Sequence, residues 1–171
     1  MKEKSFQDKT LFLEPGNRYN IKIIKFLHLD GDQDYFVGID MNGLKHLIPS
    51  DYYLNYGISK GQTIYCRLDK INCLGRFFFE PEHPVYKPGL NYDFDLIGFN
   101  KYQTQANYHL YTAIVVDVFG NKWHTMKFRT KSFPPDNLTC LRCRVTSIKK
   151  ARLSLEVADR QIDIIQKLKK I

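Results

Sequence analysis

The sequence predicts an all-β fold: two tandem five-stranded barrels followed by a short C-terminal amphipathic helix. Three observations carry that prediction. The 171-residue chain is rich in aromatics, with 11 Tyr and 12 Phe, residue types that suit a pleated, half-buried surface. Apolar and polar residues alternate over short stretches bounded by Gly, Asn and Pro, which is the period of strands. The chain also repeats itself.

The repeat shows in three ordered matches. Gly16 opens GNRYNIKIIKF and Gly89 opens GLNYDFDLIGF, an offset of 73 residues. Each places Tyr three residues after Gly (Tyr19, Tyr92) and Phe ten after (Phe26, Phe99). CRLDKINCLGRFFFE from Cys66 and CRVTSIKKARLSLE from Cys143 follow, offset by 77 and closing on Glu80 and Glu156. Between them, DYFVGIDMNGLKH and LYTAIVVDVFGNKWH each read as strand, Gly-containing turn, strand. Three matches in one order point to a duplication of about 70 residues.

In the first copy Tyr19, Ile21 and Ile23 alternate with Asn20, Lys22 and Ile24. A second strand carries Tyr35, Val37 and Ile39, and Asn42-Gly43 supplies a hairpin signal. A third strand runs over Lys45 to Ile48. PSDYYLNYGISKG then carries turn residues and has room for one short helix. Ile64, Cys66 and Leu68 mark the fourth strand, a turn at Asn72 to Gly75 follows, and RFFFE is the fifth. The second copy repeats the order, with Pro134-Pro135 forbidding a helix through KSFPPDN. The expected division is an N-terminal extension over 1–15, a first barrel over 16–82, a stiff Pro-rich linker over 83–88, a second barrel over 89–157 and a helix over 158–171. Ile162, Ile165 and Leu168 give that helix its apolar stripe. Five short strands with the longer connection between the third and fourth match the OB-fold.

The first copy also resembles the S-one-type RNA-binding repeat, the OB-fold module named after the ribosomal protein. Phe36-Val37, Gly43-Leu44-Lys45-His46-Leu47, Gly61-Gln62-Thr63-Ile64 and Gly75-Arg76-Phe77-Phe78-Phe79 stand in that family's order across about residues 17 to 81. The resemblance implies single-stranded RNA as partner, with Phe36 and His46 on the outer binding face and Arg76 nearby. In the second copy, Gly120-Asn121-Lys122-Trp123-His124 has one extra residue before its His.

Binding a single strand requires flat rings for bases and cations for phosphates. Lys127, Arg129 and Lys131 alternate with Phe128 and Thr130, and Arg142 and Arg144 with their neighbours, so each set shares a strand face. Such stripes are also the ordinary solvated face of a strand. Trp123 either lies outward beside Lys127 and Arg129 or fills the second barrel. Phe78 is the ring of its strand expected outside, because Leu153 and Leu155 flank Ser154 at the matching places. The net charge of +8 fits nucleic acid, an acidic protein or an anionic surface alike. Residues 89–157 hold ten Lys/Arg against five Asp/Glu, a net +5, while 16–88 hold nine against eight, a net +1.

Cys140 and Cys143 form a C-x-x-C pair, but inside an alternating run they point to opposite faces, so no metal is expected. No catalytic or phosphate-cradling motif is present, and no cofactor, small-molecule substrate or membrane span is expected. The expectation is a non-enzymatic, cytoplasmic binder of single-stranded RNA (or DNA), through Phe36, His46, Arg76, Phe78, Trp123, Lys127, Arg129, Lys131, Arg142 and Arg144. The competing expectation is a protein-interaction or assembly module, alone or as an accessory part of a larger machine.

Overall fold

The computed structural model describes residues 12–29, 33–102, 108–130, 134 and 137–158. The chain divides into two compact units, Met1–Glu82 and His83–Ile171, and strands dominate both. Among the described residues no helix is long and apolar enough to cross a membrane.

Unit 1 contains β1 (Arg18–Leu29), β2 (Gln33–Ile39), β3 (Lys45–Pro49), a 3-10 helix (Asp51–Tyr56), β4 (Thr63–Ile71) and β5 (Phe77–Pro81). All pairings are antiparallel, in the order β3-β2-β1-β4-β5. Bulges between Ile23 and Lys25 and between Leu68 and Lys70 bend the two longest strands. The sheet therefore curls until its edges meet, with His46 of β3 against Phe77 and Phe79 of β5, ring centroids 5.5 and 4.7 Å apart. Ile21, Ile23, Phe36, Ile48, Cys66, Leu68 and Phe79 fill the nearly closed barrel. Gly38 is required there, because a Cβ would run into the Ile21 side chain.

Unit 2 contains β6 (Asn91–Lys101), β7 (His109–Val116), β8 (Lys122–His124), β9 (Phe128–Thr130), β10 (Cys140–Lys149) and β11 (Arg152–Val157), ordered β11-β10-β6-β7-β8, with β9 also paired to β7. The third strand expected here is thus two pieces. Thr125 N still donates to Ala113 O of β7, but the chain leaves β7 at Met126, whose N donates to Leu155 O, and Thr125 also bridges Leu155 in parallel.

The two units repeat each other down to single hydrogen bonds. Bulges recur between Leu96 and Gly98 and between Val145 and Ser147, at the sequence offsets of 73 and 77. Gly16 N donates to Leu68 O and Gly89 N to Val145 O, both at 2.7 Å. The Tyr19 hydroxyl accepts from Glu14 N, and the Tyr92 hydroxyl from Lys87 N. The repeat therefore starts before Gly16 and Gly89, taking in Pro15 and Pro88 and the buried Leu13 and Tyr86. Residues 83–88, expected as a linker, belong to unit 2. Tyr86 stacks on Phe94 in its core, and His83 Nδ1 accepts from the amides of Val85 and Tyr86. The C-terminal helix expected over 158–171 lies, beyond Ala158, outside the described residues, as do residues 1–11 of the expected N-terminal extension.

Candidate nucleic-acid interface

Two of the expected site residues turn inward. Phe36 is only 4% exposed; it pairs with Phe26 on β1 and Ile48 on β3 and shares its face with Gly38, which packs against Ile21 of the core. The expectation of an outward Phe36 is corrected. His46 is corrected likewise. It is 7% exposed, and its Nε2 lies 2.8 Å from Asp40 Oδ2. Asp40 Oδ1 also accepts from the amides of Asn42 and Leu44, so one carboxylate shapes the β2–β3 turn and anchors the histidine inside the barrel.

The same device recurs in unit 2 and settles where Trp123 goes. Asp117 Oδ1 accepts from the amides of Phe119 and Asn121, and Asp117 Oδ2 accepts from Asn121 Nδ2 at 3.0 Å and Trp123 Nε1 at 2.7 Å. Trp123 therefore occupies the seat of His46, half-buried against a core that includes Leu153 and Leu155. His124 is not the counterpart of His46. The signal available in the sequence was Asp-x-x-Gly, recurring at Asp40–Gly43 and Asp117–Gly120 with an offset of 77.

Lys127 and Arg129 stay outside, where β6, β7 and β9 run side by side. Leu110 pairs with Arg129 and Tyr111 with Phe128, while Tyr102 N donates to Leu110 O. Tyr111 and Phe128 are buried, so alternation places Tyr102, Leu110 and Arg129 on the outer face. There Lys127 Nζ sits 4.5 Å from the Tyr102 ring centroid, and Arg129 Cζ sits 4.8 Å from that of Tyr108. Each pairing contributes roughly 0.5–1 kcal/mol at an exposed site. Its main effect is to hold cations and rings next to each other. Neither tyrosine was singled out by the sequence, because their partners lie across strands.

The other cations are elsewhere. Arg142 pairs with Asp93 across β10 and β6, its Nη1 3.9 Å from the carboxylate, and Arg144 follows on the same exposed face. Asp93 precedes Tyr102 by nine residues, roughly 30 Å of extended strand, so these arginines occupy the far end of β6. Arg76 is exposed on the β4–β5 turn of unit 1, its amide donating to Asn72 Oδ1. Phe78 is 40% exposed, as the pattern expected, with Lys70 Nζ 5.1 Å from its ring. Lys131 falls outside the described residues. Cys140 is exposed and Cys143 buried; burial, with lesser contributions from Cys140 and Asp93, pushes the Cys143 thiol up to about 12. Among the described residues no cluster of three or more His, Cys, Asp or Glu is placed to hold a metal ion. Comparison with protein-family models, with curated proteins and with solved structures finds no match for this chain.

Proposed function

We propose that both units are OB-type barrels and that unit 2 binds single-stranded nucleic acid, without catalysing a reaction, on the outer face of β7 and β9. The observation that carries this reading is the side-by-side pairing of Lys127 with Tyr102 and Arg129 with Tyr108. OB-folds take up oligonucleotides on the face of their second and third strands and on the adjoining first connection. Arg129 lies on the corresponding third strand with Lys127 just before it, and the two tyrosines flank the corresponding connection. Strand orders of β3-β2-β1-β4-β5 and β11-β10-β6-β7-β8 support the barrel assignment. The resemblance of the first copy to the S-one-type repeat favours RNA over DNA. The free cysteines suit a reducing compartment such as the cytoplasm.

The test is fluorescence anisotropy of labelled single-stranded RNA and DNA oligonucleotides at about 50 and about 200 mM salt. RNA is expected to bind and to weaken with salt. Tyr102→Ala is expected to weaken it by about 1–3 kcal/mol, the contribution of one stacked base, and Lys127→Ala to weaken it further. Absence of binding to either oligonucleotide at the lower salt overturns the proposal and leaves the protein-interaction reading.

A further inference from the structure

Unit 1 contains a cavity of about 390 Å³ where β1 and β2 meet the 3-10 helix. Its volume is at the lower end of small-molecule sites, which run roughly 300–1,000 Å³. One side is aromatic. Phe36 and Tyr53 are buried, and Phe26, edge-on to Phe36 with centroids 5.4 Å apart, remains 53% exposed at the mouth. Farther along the same hairpin face it is polar. His28 Nδ1 and Asp34 Oδ1 lie 2.7 Å apart, and Ser50 completes the lining.

Ser50 is the telling residue. It is 5% exposed and stands at the N-cap position of the 3-10 helix, yet its side chain makes no capping hydrogen bond. Serine is favoured there because its oxygen ordinarily accepts from a backbone amide. Here the hydroxyl lines the cavity instead, where it is free to bond a group that enters.

The lining includes one carboxylate and no Lys or Arg, a composition that disfavours phosphate. A neutral planar ring with a hydrogen-bonding edge fits this lining: one face against the exposed Phe26 ring, edge toward Asp34 and Ser50. We propose that this cavity is a nucleobase site, with preference for bases carrying an exocyclic amine that donates to the Asp34 carboxylate. The inference does not depend on the β7–β9 face of unit 2. The base comes from a free nucleoside or from a bound strand, and the experiment separates the two.

The full chain, labelled with nitrogen-15, is titrated with adenosine, cytidine, guanosine and uridine while backbone amides are followed by NMR. Saturable shifts are expected at residues 34–36 and 50–53, strongest for the three amine-bearing nucleosides. Ser50→Ala, which removes a hydroxyl that caps nothing, is expected to weaken binding about three- to tenfold, and Phe26→Ala to do the same. If Phe26→Ala also weakens single-stranded RNA, the cavity takes a base of the bound strand; if RNA is unaffected, it takes free nucleosides. Lys127→Ala reduces only the RNA affinity, which keeps a failure of the unit 2 reading apart from a failure here. The proposal is overturned if no nucleoside shifts these amides, if Ser50→Ala binds as tightly as the parent, or if N-acetyltyrosinamide, standing for a protein side chain, shifts them more strongly than any nucleoside.

Discussion

Asp40 and Asp117 each gather several donors onto one buried carboxylate, and in doing so tie a turn to the ring of His46 or Trp123. Removing such an acceptor leaves amides and a ring N–H unsatisfied. Asp117→Ala is expected to destabilise unit 2 by about 2–4 kcal/mol in urea titrations. Trp123 is the only tryptophan, so its emission should move to longer wavelength in Asp117→Ala and stay unchanged in Asp40→Ala. His83 gives a second expectation. Burial, partly offset by the Asp117 charge, lowers its proton affinity below the ordinary histidine range. The unfolded chain therefore takes up a proton first as pH falls below about 6.5. The stability this neutral ring contributes is complete above that pH and is lost as pH drops through the lower folded value. In thermal melts, His83→Asn should flatten the decline that sets in as pH falls below about 6.5. These roles were only partly legible. Asp-x-x-Gly stands in both copies, but nothing local reveals that its carboxylate reaches a ring six residues on. Phe36 was misplaced for a related reason. Tyr35, Val37 and Ile39 make one face of β2 as apolar as the other, and period-two alternation separates faces without saying which one is interior.

At the scale of elements, the strands of unit 1 lie where alternation and turn residues put them: β3 and β5 end on Pro, and β4 runs into Asn72. The division of β8 from β9 was hidden, because it depends on Met126 bonding to β11, a partner distant in sequence. The upstream start of each repeat was within reach, since Pro15-Gly16 and Pro88-Gly89 match, but a run of prolines reads more readily as a linker. The β10–β11 turn carries its own expectation. Lys149 pairs with Arg152, leaving Lys150 and Ala151 as its two central residues, at φ 48° and 59°. Both are in the left-handed region that Asn-Gly accepts at lower cost. The double substitution Lys150→Asn, Ala151→Gly should stabilise unit 2 by about 1–2 kcal/mol, read as a higher urea midpoint at unchanged slope.

Across the whole molecule, cations are distributed unequally and held differently. In unit 1, Arg18 is ion-paired with Glu82 and Arg67 with Asp69 and Glu80, whereas the excess of unit 2 includes Lys127 and Arg129 over tyrosine rings. The total of +8 was plain from composition, but which cations already have carboxylate partners depends on cross-strand register. If the β7–β9 face meets phosphates, Lys127→Ala with Arg129→Ala should reduce the slope of log affinity against log salt by roughly 1.4, about 0.7 for each phosphate of a single strand that is no longer neutralised. Arg18→Ala with Arg67→Ala should leave that slope unchanged. Binding measured across a salt series decides it.

The matched seats of His46 and Trp123 carry a consequence for how the halves have diverged. A small ring in one sits against Phe77 and Phe79, while a large ring in the other packs into a core with Leu153 and Leu155 at the equivalent places. Bulk has been exchanged between neighbouring strands and the total roughly conserved. An indole introduced alone at position 46 would crowd two phenyl rings; accompanied by leucine at 77 and 79, it would find the room its twin enjoys. Within each unit, the residues at these three places can change size only together.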